Sequence, residues 1–267
     1  MMIKQGFIND IIHFVSMLRL KLISAAFQLP HPYKRETGTE DAYFISPNNL
    51  TVGVADGVGG WAEHFGANSA LWSHKLMNLS CEYSDLPSPI EIFKAAFNDF
   101  HETIHGSTTI SIAKLENDTM IFYNLGDSGC AIFKNYEMKF RTNFTVHSFN
   151  FPYQIGSNND SQIENGTIEE YKVDVNDTMV CASDGLWDNL YPEEIGQILK
   201  KASINVTSPE TFAHIAARNL VRSAFTRGSA HSIQTPFSDA AEKASIDYLG
   251  GKLDDTTVVI SFIAQDE

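Results

Sequence analysis

Aspartates at the ends of apolar runs are the residues of this chain best suited to chemistry. Glu40-Asp41 precedes one such run, Asp56-Gly57 follows Val52-Gly53-Val54-Ala55, and Asp184-Gly185 follows Met179-Val180-Cys181-Ala182-Ser183. Asp254-Asp255 precedes the last apolar run, and Gly126-Asp127-Ser128-Gly129 separates two others. Taken singly, Asp-Gly after a strand is ordinary turn chemistry. Two details point further. Val58-Gly59-Gly60 extends the first pair into a glycine-rich loop, where backbone can approach an ion or ligand closely. Asp188 stands four residues after Asp184, which puts both carboxylates on one side of a starting helical turn. Carboxylates gathered from distant segments repel one another unless a cation lies between them. Oxygen donors without a surrounding His or Cys set suit Mg²⁺ or Mn²⁺ better than Zn²⁺. Two such ions about 3.5–4 Å apart can activate a bridging water and polarise a phosphoryl group for in-line attack.

The elements that must position these residues fall into groups. Strands are expected over residues 42–46 and 50–55, then 107–114, 119–125 and 129–134, and finally 178–182 and 256–263. Helical patterns occupy residues 62–79 and 89–105, then 192–202, 209–225 and 236–249. Those from residue 89 onward open near a proline. Phe212, Ile215, Ala216 and Leu220 make a packing stripe on one of them. Paired helices between groups of strands predict antiparallel sheets with helices on their outer faces, an α+β sandwich rather than a doubly wound parallel sheet.

Composition bounds the rest. A chain of 267 residues, 43% hydrophobic and 19% charged, can bury a sizeable core, and no repeat or low-complexity linker divides it. The formal net charge of −14, with no basic stripe, argues against nucleic-acid binding. It fits solubility, or carboxylates whose counter-cations the tally omits. Cys81, Cys130 and Cys181 lack C-x-x-C spacing and are odd in number, which points to a reducing compartment. Residues 1–22 form a separate segment, with residues 23–267 as the main domain. In the first segment Ile3, Phe7, Ile11, Phe14, Val15, Leu18 and Leu22 recur at helical spacing, consistent with a targeting helix or one packed on the domain. It is too interrupted for stable membrane insertion.

Six segments in order resemble the motifs of the protein phosphatase 2C family. They are Glu40-Asp41-Ala42, Val54-Ala55-Asp56-Gly57-Val58-Gly59-Gly60-Trp61, Gly106-Ser107-Thr108-Thr109, Leu125-Gly126-Asp127-Ser128-Gly129, Ala182-Ser183-Asp184-Gly185-Leu186-Trp187-Asp188-Asn189 and Gly250-Gly251-Lys252-Leu253-Asp254-Asp255-Thr256-Thr257. The likeness runs from about Leu29 to the C-terminus. Leu29-Pro30-His31-Pro32 and Phe151-Pro152-Tyr153-Gln154 are similar to the compact eukaryotic subgroup of mitochondria and plastids. The resemblance implies a four-layer α-β-β-α sandwich, two antiparallel sheets flanked by helix pairs. It also implies a serine/threonine phosphatase acting as a monomer on phosphorylated proteins, in the mitochondrion or cytoplasm, with two or three Mg²⁺ or Mn²⁺ ions. Asp56 would bridge two cations, and through them the attacking water, while Gly57 would offer its carbonyl. Asp184 and Asp254 would complete the second metal, with Glu40 or Asp41 binding directly or through water. Asp127, with Asp184, would help form a weaker third site, and Asp188 would be a carboxylate of that site or one supporting it from behind.

Two positions depart from the family pattern. Val58 stands where many members carry His, a candidate general acid; the nearby His64 reads as structural. Glu36 stands where Arg often holds the phosphate, leaving Arg35 as the substitute. Neither change removes metal chemistry. The competing reading is a catalytically silent member used for binding; such a protein would typically have lost one of Asp56, Asp184 or Asp254, and all three are present.

Overall fold

The computed structural model describes residues 19–59, 66–157 and 162–266. Two five-stranded antiparallel sheets stack face to face, as the alternation of strand and helix groups predicts. In chain order the first half comprises β1 (Leu20–Leu29), β2 (Asp41–Ile45), β3 (Thr51–Asp56), α1 (Ser69–Glu82) and α2 (Pro89–Asn98). Then come β4 (Ser107–Thr108), β5 (Ile110–Glu116), β6 (Thr119–Leu125), β7 (Gly129–Lys134), β8 (Glu137–Arg141), and the short strands β9 (Val146–Ser148), β10 (Phe151–Pro152) and β11 (Ile155–Gly156). β12 (Thr167–Lys172), β13 (Thr178–Ala182), α3 (Asp184–Trp187), α4 (Pro192–Ala202), α5 (Pro209–Gly228), α6 (Pro236–Lys243) and β14 (Thr256–Gln265) complete the fold. One sheet runs β1-β14-β13-β7-β8 and the other β12-β6-β5-β3-β2.

Period-two side-chain alternation divides the core into three. Val52 and Val54 of β3 face Cys130, Ile132, Met179 and Cys181 of the opposite sheet. Their neighbour Ala55 faces outward onto Leu76, Ile92 and Phe93 of α1 and α2. On the other side Val180 and Ala182 meet Leu199, Ala216 and Leu220 of α4 and α5. Both faces of each sheet are therefore covered, which is why the central strands read as continuous apolar runs rather than clean alternations. The edge strands β8 and β12 alternate exposed and half-buried residues and carry Glu137, Lys139, Glu169 and Lys172. Charges of this kind discourage edge-to-edge pairing.

Several expected boundaries move. β1 begins at Leu20, so the last three residues of the leading segment belong to a sheet; the rest of that segment up to residue 18 lies outside the described residues. Leu22 points into the core at 1% exposure. α1 starts at Ser69, where Asn68 caps it by accepting from Leu71 N, and the expected helix over 62–79 falls in part on residues 60–65, outside the described residues. α2 ends at Asn98 and α6 at Lys243, each shorter than the apolar pattern suggests. The expected strand over 107–114 divides at Thr109, because β4 pairs with β11 while β5 joins the main sheet. No helix among the described residues is long and apolar enough to cross a membrane.

Candidate metal centre

The candidate site forms where strands of both sheets end at one rim. Antiparallel register sets Asp41, the first residue of β2, opposite Asp56, the last of β3. The Asp56 carbonyl accepts from Thr108 Oγ1 at 2.8 Å and from Thr109 N at 2.9 Å, which is the work of the Gly-Ser-Thr-Thr segment. Gly57 N donates to the Glu40 carbonyl at 3.1 Å, and a Cβ at Gly57 would lie 2.7 Å from that same oxygen. Only glycine permits this approach.

The second sheet is tied to the first through Ser183. Its hydroxyl donates to Asp41 Oδ2 at 2.7 Å and accepts from Thr257 N at 3.0 Å. Immediately beyond it, α3 begins with Asp184 and closes one turn later, Asp188 N donating to the Asp184 carbonyl at 2.8 Å. Gly185 packs so tightly that a Cβ there would stand 2.1 Å from the Asp255 carbonyl. Asp255 itself is buried and accepts from His31 N at 2.6 Å, Glu40 N at 2.7 Å and Lys34 Nζ at 3.1 Å. Of the Asp254-Asp255 pair, Asp255 therefore latches the β1–β2 connection, while Asp254 lines the open side. Asp127 follows Gly126, whose φ of +105° turns the chain between β6 and β7.

These residues enclose a cleft of about 560 Å³ lined by Glu40, Asp56, Asp127, Asp184 and Asp254, with Lys34 and Lys252 among them. Neither Asp41, which is fully buried, nor Asp188, which is half-buried, lines the cleft. Arg35 is exposed and does not line the cleft; the one-turn 3₁₀ helix Pro32–Lys34 directs Lys34 inward instead. Val58 lines the cleft and has no proton to transfer, and His64 lies outside the described residues. Lys34 pairs with Glu40 and Asp255, and Lys252 with Asp184 and Asp188.

The electrostatics are those of crowded, buried acids. Burial, then the charge of Asp184, raises Asp56 well above the ordinary carboxylate range, with Asp41, Asp254 and Asp127 adding to it. Burial likewise raises Asp41 and Asp127, pushes Asp188 up to about 7 and Asp254 to about 6. Burial would raise Asp184 too, but the Lys252 ammonium against it holds it below its usual value. Asp41 and Asp184 each keep one buried carboxylate oxygen without a hydrogen-bond partner.

These are the features a divalent ion would answer. The donors are oxygens only, they repel one another, and buried lone pairs are left over, so the set fits a hard cation such as Mg²⁺ or Mn²⁺. Among the described residues no three acidic, imidazole or thiol side chains converge as in a finished coordination shell, and the two lysines supply the compensating charge. Lys34, Lys252 and Ser183 are not recognisable as site residues from the sequence. Ser183 and Lys252 both lie within motifs, one and two residues before an aspartate, but nothing local marks either as reaching the site; Lys34 carries no local signal.

No family model matches the chain. In curated sequences, it is 38% identical over 251 residues to probable protein phosphatase 2C 55 of Arabidopsis thaliana, covering 92% of this chain and 52% of that protein. It is 32% identical over 246 residues to protein phosphatase PTC7 homolog fig of Drosophila willistoni, covering 84% of this chain and 77% of that one. Among solved structures, the photosystem II phosphatase PBCP superimposes with a TM-score of 0.80 at 28% identity, over 92% of this chain and 99% of the other. The chain spans about half the length of the curated plant relatives it matches, 52%, 60% and 54% for three of them.

Proposed function

Because the chain belongs to the protein phosphatase 2C family, we propose that it removes phosphate from phosphoserine and phosphothreonine in proteins with the help of Mg²⁺ or Mn²⁺. One observation carries this reading: aspartates from four separate chain segments line one cleft, and Asp184 presents a buried, unpartnered oxygen there. Asp56 takes the central role, since Asp184, Asp41, Asp254 and Asp127 all act on its charge. Asp184 and Asp254 complete the holding set, with Gly57 presenting backbone and Glu40 reaching across Gly59. Asp41, fixed by Ser183, supports Asp56 from behind. Bound divalent ions supply Lewis-acid polarisation of the phosphoryl group and lower the pKa of water.

The chain's own residues do the rest. Thr108 and Thr109 lock the Asp56 backbone so that its carboxylate does not wander as charge develops. Lys34 replaces Arg35 as the cation placed to meet a phosphate oxygen at the rim. With Val58 unable to donate, the departing alkoxide takes its proton from water in the open cleft. The acidic balance of the chain supports a protein rather than a nucleic-acid partner, and the reading includes action as a monomer.

The test is hydrolysis of p-nitrophenyl phosphate and of a phosphothreonine peptide with MnCl₂ or MgCl₂. Turnover is expected with either ion and lost in EDTA. Asp56→Asn and Asp184→Asn are each expected to cost at least about a hundredfold in kcat/KM. A folded sample that turns over neither substrate with any divalent ion overturns the enzyme reading and leaves a silent binding protein.

A further inference from the structure

We propose that Lys252 is a tethered cation standing in the place of a third divalent ion, so that this chain binds two ions and not three. The inference rests on the metal-dependent reading above and concerns how its acidic residues are shared out.

The Lys252 ammonium pairs with Asp184 Oδ2, lies 3.1 Å from Asp188 Oδ2 and 3.7 Å from Asp254 Oδ2. Asp184 and Asp188 are two of the three residues that a third site would need, and the charge of Lys252 also bears on the remaining one, Asp127. Its position is built rather than incidental. Asn189, one residue after Asp188, clamps the Lys252 backbone from both sides: Asn189 Oδ1 accepts from Lys252 N at 3.0 Å, and Asn189 Nδ2 donates to the Lys252 carbonyl at 2.7 Å. The same Nδ2 donates to the Gly185 carbonyl at 3.0 Å, so lysine and aspartates are registered through one amide. Gly251 packs against the Arg227 carbonyl, where a Cβ would stand 2.1 Å away, which fixes the approach of the segment leading into Lys252. The ammonium also lies 5.6 Å from the centre of the Phe237 ring, and Phe237 N donates to the Asp188 carbonyl at 3.0 Å.

The two oxygens of Asp184 are thereby given different tasks. Oδ2 is taken by the ammonium, whereas Oδ1 is buried without a hydrogen-bond partner, and the charge of Asp184 bears on Asp56. A divalent ion brought to Asp184 and Asp188 would meet a fixed positive charge at contact distance, and an ammonium offers no lone pair to ligate it. Lys252 is thus a positioning residue for Asp184 as well as an occupant.

Mn²⁺ stoichiometry tests this on the full chain, by equilibrium dialysis with electron paramagnetic resonance of free Mn²⁺. Wild type is expected to saturate at about two ions, and Lys252→Met at about three, with the additional ion lost in Lys252→Met/Asp188→Asn. Circular dichroism establishes that each variant is folded, and Lys252→Gln serves in place of Lys252→Met if the latter is not. Three ions in wild type, or no gain in a folded lysine variant, overturns the proposal while leaving the metal-dependent reading intact. No Mn²⁺ bound to folded wild type at millimolar concentration overturns both.

Discussion

At the scale of single residues, the site depends on side chains that never touch a substrate. Ser183 is the clearest case, since one hydroxyl satisfies Asp41 from the first sheet and the Thr257 amide from the second. Ser183→Ala leaves a buried carboxylate oxygen unpaired, and the expected cost is about 1–3 kcal/mol of stability, read by urea denaturation of the ion-free protein. Because Asp41 then loses its orientation, Mn²⁺ affinity should fall by about ten- to a hundredfold in the same variant. Unchanged affinity would mean that Asp41 only fills space behind Asp56. Much of this level is legible in the sequence: aspartate beside glycine at the end of an apolar run marks Asp56, Asp127 and Asp184, and all three line the cleft. The roles of the lysines are not legible, although Lys252 stands inside the last motif. A lysine that reaches an acidic cluster from another segment looks, in sequence, like any solvated surface lysine, and Lys252 bonds residues 64 and 68 positions away.

At the scale of elements, the rim is held by close approaches rather than by long contacts. α3 is a single turn, and its position against the segment entering β14 depends on Gly185 lacking a side chain. Gly185→Ala must push α3 from the Asp255 carbonyl, and small-to-large changes in packed sites cost about 1–3 kcal/mol. The same displacement moves Asp184 relative to Asp56, so Mn²⁺ affinity is expected to fall in parallel with stability in calorimetric titrations; loss of stability with affinity intact would separate the two. The elements themselves are unevenly readable. α4 falls at Pro192–Ala202 as expected, because proline at its start and an amphipathic face agree. β8 and β12 escape the pattern, since edge strands with charged outer faces look like loops, and β1 is obscured because Leu18 and Leu22 continue a helical spacing into what is a strand.

For the whole molecule, the buried acids make stability depend on proton and ion together. Asp188 is raised to about 7, Asp254 to about 6, and Asp41, Asp56 and Asp127 are also raised well above the ordinary value, burial being the leading cause in each. In the unfolded chain the same groups protonate only near pH 4, at about the ordinary aspartate value. Between about pH 4 and 7 the folded, ion-free protein therefore holds more protons than the unfolded one, and its stability falls as pH rises. Asp184, lowered by Lys252, contributes in the opposite sense, as do Asp118, Glu137, Glu210 and Asp239, but those four lie at the surface, where solvent screens their pairs. The melting temperature of EDTA-treated protein should be higher at pH 5 than at pH 8 by at least about 3 °C, with Mn²⁺ reducing the difference by replacing the protons. A melting temperature that instead rises from pH 5 to pH 8 without ions would show that the acids are relieved in some other way.

β1 and β14 pair along their whole length, from Leu20 opposite Gln265 to Leu29 opposite Thr256. Thr256 adjoins the cleft residue Asp254, so the Leu20–Gln265 end lies a full strand away, about 30 Å at the usual rise per residue. Arg19 and Asp266 meet there, the Asp266 amide donating to the Arg19 carbonyl at 2.6 Å. A tether to a sensor chip or bead, attached beside either residue, would thus leave from the same far corner and present the cleft to the solution.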